Sequence, residues 1–165
     1  MQDELIPQEI RTIYEDYLSD VIHLEATRKP TDGLMGFGKR ADQDPCHDRF
    51  ASRLETELDI LAGAQPSSET ALAVLSFVFA APNEHQDLKV AYWMLQAVAG
   101  FAEKLIAFLS PQAAADLELS FTELYPGRVQ LPVHQKIAKL LKAQAGERSV
   151  KKSRGLKDFF RGAGR

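Results

Sequence analysis

Apolar positions concentrate between Ser67 and Leu109, and the rest of the pattern is arranged around that block. On a wheel of about 100° per residue, Lys89, Gln96, Glu103 and Lys104 share a narrow stripe with His85, Trp93 and Gly100. Val90, Met94, Leu95, Val98, Leu105 and Ile106, among others, fill the remaining arc. A helix from about Glu84 to Leu109 with so wide an apolar arc requires other helices around it. Its partner, Ser67 to Ala81, is apolar on every side past Thr70. Ser67 or Ser68 suits an N-cap, Glu69 the first turn and Pro82 a stop, so this run reads as helix rather than buried strand. Gly100 costs roughly 1 kcal/mol relative to Ala in mid-helix and predicts either a close neighbour or a slight kink.

The flanking pattern supplies the other helices. Ile10, Ile13, Tyr14, Tyr17, Leu18, Val21 and Leu24 make one face of a helix from about Pro7 to Arg28. A second helix has Asp44 as N-cap and Pro45 at its first position; Phe50, Leu54, Leu58 and Leu61 form its stripe and Gly63 its end. Ser110-Pro111 repeats the cap-plus-proline device and starts a helix buried through Leu117, Phe121 and Leu124, ended by Pro126-Gly127. The last helix starts near Pro132, carries Val133, Ile137, Leu140 and Leu141 on one side, and is predicted to stop by Gly146. The reading is an all-α, single-domain, irregular or orthogonal bundle of about six helices around the hairpin at 67–109. A globular domain at 1–146 is followed by a basic, flexible tail at 147–165.

Composition adjusts this picture in two places. The net charge of −3 is uneven. From Lys151 to Arg165 six basic side chains face only Asp158, a net of +5, so residues 1–150 carry −8. An acidic body does not favour nucleic acid, and an acidic body with a basic tail is a marked asymmetry. The single cysteine, Cys46, excludes an intramolecular disulfide. The acidic start, Met1-Gln2-Asp3-Glu4, lacks the apolar core of a secretory signal. No apolar run reaches the 18 residues of a membrane span, and the expected compartment is the cytoplasm.

Candidate chemistry falls in three places. Gly33-Leu-Met-Gly-Phe-Gly38-Lys39-Arg40 nearly spells a phosphate-binding loop, but Arg40 stands where the hydroxyl residue belongs and a helix precedes it. What remains is an anion cradle of Gly36, Gly38, Lys39, Arg40 and Asp44 at a helix start. Asp44-Pro45-Cys46-His47-Asp48 puts a lone thiol in a first helical turn, where the dipole lowers its pKa. Adjacent residues point about 100° apart, so Cys46 and His47 do not form a dyad with each other. His47 faces the Phe50/Leu54 side, and His23 faces away from the core side of its own helix. The four histidines lack the i, i+3 or i, i+4 partners of helical metal sites, and neither metal nor cofactor is expected.

The third place is the tail. Leu156, Phe159 and Phe160 stand at i, i+3 and i+4, the spacing of a helix that docks in a groove, with Lys151, Lys152 and Arg154 beside them. The stretch from Ser153 to Phe160 resembles the sliding-clamp-binding peptide, Q-x-x-[LIM]-x-x-[FY]-[FY], with Ser153 where that family has Gln. The resemblance covers eight residues and implies binding of a clamp-type partner. The expected role is protein interaction, as an adaptor or accessory module, with an unidentified protein partner or a second copy. The rival is a small-ligand-binding protein or enzyme using the Gly33–Arg40 loop, Cys46 and His47.

Overall fold

The computed structural model describes residues 5–27, 45–84, 88–127 and 131–160, with side chains for all of these except 24–27, 45, 83, 88–89 and 147–160. Among them lie seven α-helices and no strand: α1 (Gln8–Thr27), α2 (Pro45–Gly63), α3 (Ser68–Ala80), α4 (Leu88–Ala99), α5 (Ala102–Ile106), α6 (Pro111–Leu124) and α7 (Pro132–Phe160). A 3-10 turn, Ala81–Glu84, follows α3. None of the described helices is long and apolar enough to cross a membrane.

The serine caps form as the sequence predicts. Ser67 Oγ accepts the Thr70 N–H and Ser110 Oγ accepts the Ala113 N–H. Ser68 Oγ in turn accepts the Ser110 N–H at 2.7 Å, so the N-termini of α3 and α6 sit side by side. Further along, Phe79 packs on Phe121 at 5.0 Å, and the Tyr125 hydroxyl donates to the Phe79 carbonyl at 2.7 Å. The two helices therefore run parallel. α3 buries Ala71, Ala73, Val74, Leu75, Val78 and Phe79, which fill more than one face. This is why its sequence is apolar nearly all round.

Around it, α1 and α2 form an antiparallel pair, with Asp16–Arg53 and Asp20–Arg49 ion pairs across their exposed side. α6 and α7 form a second, through Phe121, Tyr125 and His134 at one end and Glu118–Lys142 at the other. The expected stripes are buried: Ile10, Ile13, Tyr14, Tyr17 and Val21 on α1, Phe50, Leu54 and Leu58 on α2, Val133, Ile137 and Leu141 on α7.

Two expectations are corrected. The helix expected from Glu84 to Leu109 breaks at Gly100 into α4 and α5, which makes seven helices of about six. A neighbour's approach is not the reason, since a Cβ at Gly100 would meet nothing within 4 Å. The Phe101 N–H turns back to the Val98 carbonyl at 2.9 Å, and α5 begins with no side-chain cap. The redirected segment buries Ala102, Leu105, Ile106 and Leu109 against α3 and α7. Gln144 Nε2 satisfies the Leu109 carbonyl at 2.7 Å, and Lys104 holds Asp59 of α2.

The second correction concerns Gly146. The last helix does not stop there; α7 continues to Phe160. No proline follows Gly146, and Glu147, Arg148, Lys151, Lys152, Arg154, Leu156 and Lys157 are good helix formers. Gly146 and Gly155 each cost about 1 kcal/mol relative to Ala, and extending a helix already nucleated avoids the cost of a new nucleus.

Candidate functional site

Pro45 opens α2, so Cys46 and His47 lie in its first turn, as the sequence predicts. Both are half-buried, and Cys46 packs against the core. The His47 ring meets aromatic faces, with Trp93 at 4.5 Å and Tyr17 at 6.5 Å between centroids. Tyr92 extends the cluster, 5.3 Å from Trp93. Its partners are thus aromatic rings from α1 and α4. The Gly33–Arg40 loop and Asp44 lie outside the described residues, as does His85. His23 is exposed on α1. Among the described residues no three His, Cys, Asp or Glu side chains are grouped to hold a metal ion.

His134 has a role that the sequence reading missed. It is 6% exposed, in the first turn of α7 against Tyr125 at 4.5 Å and Phe121 at 6.2 Å. Its Nδ1 accepts the Leu131 N–H at 2.8 Å, while the Leu131 carbonyl accepts the His134 N–H at 3.0 Å. This is a reciprocal cap, with histidine in the place usually taken by Glu or Gln. The bond needs a bare Nδ1, so the neutral ring carries its proton on Nε2. Burial is the largest influence on the ring and lowers its pKa. The available signal was the spacing Leu131-Pro132-Val133-His134, a proline at the first helical position with an acceptor two residues later.

Tyr14 on α1 and Tyr125 at the end of α6 are both buried. Burial, with Tyr125 adding to it, raises the Tyr14 phenol far above the ordinary value. Burial pushes Tyr125 up to about 12. Both stay protonated and serve as packing groups. The Tyr14 hydroxyl has no hydrogen-bond partner among the described residues.

Two hollows open beside α1, each of about 310 Å³. One is a groove against α2, lined by Gln8, Glu9, Thr12, Ile13, Ser52 and Glu57 and crossed by Arg53 on its way to Asp16. The other lies where α1, packed chiefly on α2, stands off from α3, the 3-10 turn and α4. Tyr14, Leu18, Phe77 and Met94 line its apolar part, with Arg11, Glu15 and Glu84 around them. Arg11 lies over the Phe77 ring, 5.3 Å from its centroid. No local pattern announces this cavity, because its walls come from three helices and a turn.

The tail residues Lys151, Lys152, Arg154, Leu156, Phe159 and Phe160 fall in the last turns of α7, with their side chains outside the description. Comparison of the chain with protein-family models, with curated proteins and with solved structures gives no match in any of the three.

Proposed function

We propose that the protein is a cytosolic interaction module, an adaptor or accessory subunit, that presents the end of α7 to a partner protein. The observation supporting this reading is the continuity of α7. The last fully buried residue described on that helix is Leu141, yet the helix runs on to Phe160. At about 1.5 Å per residue, that is a further 28 Å or so of helix. Its sequence there places Leu156, Phe159 and Phe160 at groove-docking spacing among basic residues. A preformed helix loses less conformational entropy on docking than a coil that must fold first.

The test is partner capture by three immobilised proteins: the full chain, the chain lacking 147–165, and Leu156→Ala/Phe159→Ala/Phe160→Ala. A partner held by the full chain and lost from both variants, with unchanged circular dichroism for the triple variant, is the expected result. Equal capture by all three rejects the reading.

A further inference from the structure

The two ends of α3 separate the cavity from the end of α7. α7 starts beside the C-terminal half of α3, where Tyr125, a neighbour of His134, bonds the Phe79 carbonyl. It leaves past the other end, where Gln144 holds the Leu109 carbonyl and Ser110 meets Ser68 at the start of α3. The cavity lies at the C-terminal end of α3, lined by Phe77 and Ala81. An unbroken helix leaving at one end of the bundle does not return to a hollow at the other.

We propose that this cavity receives the C-terminal segment of a second copy, so that the protein associates head to tail. The inference rests on the reading of α7 as a docking segment. A volume of about 310 Å³ is at the small end for ligand pockets, roughly 300–1,000 Å³, and suits aromatic side chains rather than a large cofactor. Its walls are apolar through Leu18, Phe77 and Met94, and exposed Glu15 and Glu84 stand at its edge from two different walls. Among the described lining residues the cation is Arg11, which lies over the Phe77 ring. The segment beyond Gly146 offers the complement: aromatic Phe159 and Phe160, and a net of +5 from Lys151 onward against −8 on the rest of the chain. Because donor and acceptor patches differ, the contact is heterologous and builds open chains or closed rings.

Sedimentation velocity on the full chain tests this. At 50 mM salt, species larger than the monomer are expected to grow with concentration, and 500 mM salt is expected to weaken association at least tenfold by screening the rim charges. Phe159→Ala/Phe160→Ala removes the donor; Glu15→Lys/Glu84→Lys reverses the acceptor rim. Each variant alone should be monomeric. Mixed in equal amounts they should form a dimer and nothing larger, since only one intact donor–acceptor pair is possible. If charge reversal lowers the melting midpoint, Glu15→Gln/Glu84→Gln replaces it. A wild-type chain that stays monomeric, or a mixture that fails to pair, overturns the inference. Loss of association in the Phe159/Phe160 variant but not in either rim variant also overturns it, while leaving the tail reading intact. Failure of partner capture with self-association preserved would have the opposite meaning.

Discussion

Between Pro132 and Ala145, α7 is held by what surrounds it: Val133, Ile137 and Leu141 are buried, His134 caps the first turn and Gln144 holds the Leu109 carbonyl between α5 and α6. Beyond Gly146 the same backbone continues through a sequence rich in lysine and arginine, with few apolar residues. The first half is helical because packing selects it. The second extends a helix already nucleated, so it avoids the cost that makes isolated helices of under about 12–15 residues marginal. Its basic residues also complement the negative end of the helix dipole. The lesson is that helical backbone and tertiary anchoring are separate properties, and mutations should separate them.

The largest effect is expected from Leu141→Ala, which removes a fully buried side chain from the anchored half. It should cost about 2–5 kcal/mol in denaturant unfolding; a loss below about 1 kcal/mol would remove the basis of the comparison. His134→Ala comes next, at about 1–3 kcal/mol, because the Leu131 N–H loses its acceptor. His134 also predicts a pH dependence. Its folded pKa lies below the unfolded value, so below about 6.5 the unfolded chain binds more protons. The stabilisation is complete above that pH and is lost as pH falls toward the folded pKa. Melting midpoints from pH 7.5 to 5 should therefore fall more for the wild type than for His134→Gln. Parallel curves would show that the cap does not titrate.

Gly146→Ala, at the junction, should add up to about 1 kcal/mol of helix stability, since a Cβ there meets nothing within 4 Å. It should appear as slower amide exchange near the junction rather than as a higher global midpoint. The smallest effect is expected from deleting 147–165, which should move unfolding free energy by less than about 0.5 kcal/mol. A large loss would mean that residues 147–160 contribute to the core, and the contrast would dissolve.

What the sequence announced follows the same division. Ser67, Ser110-Pro111 and Pro45 were readable because capping is local chemistry, settled within three residues. The buried stripes of α1, α2 and α6 were readable because burial repeats with the helical period. A slight kink was one of the two readings of Gly100, but a full break was not legible, because it is set by where Leu105, Ile106 and Leu109 find partners on α3 and α7. Nor was the continuation past Gly146, where the glycine signalled an end that its neighbours did not support. Of the site, the position of Cys46 and His47 in the first turn of α2 was legible, but the aromatic company of His47 was not. The cavity of Tyr14, Phe77 and Met94 exists only once α1 is placed, and no stretch of chain encodes it alone.

The unbroken run of α7 also makes it a screw. Each residue advances the axis by about 1.5 Å and turns it by about 100°. One residue inserted at Gly146 would therefore swing Leu156, Phe159 and Phe160 by about 100° around the bundle without touching any of them. Seven would bring them back to within about 20° of the original bearing, farther from the body by roughly two turns. Docking that depends on direction should fail and recover with that rhythm, whereas a loose tether would be indifferent to the count. The phase of a helix thus becomes a heritable variable, in which an insertion of one residue is more disruptive than an insertion of seven.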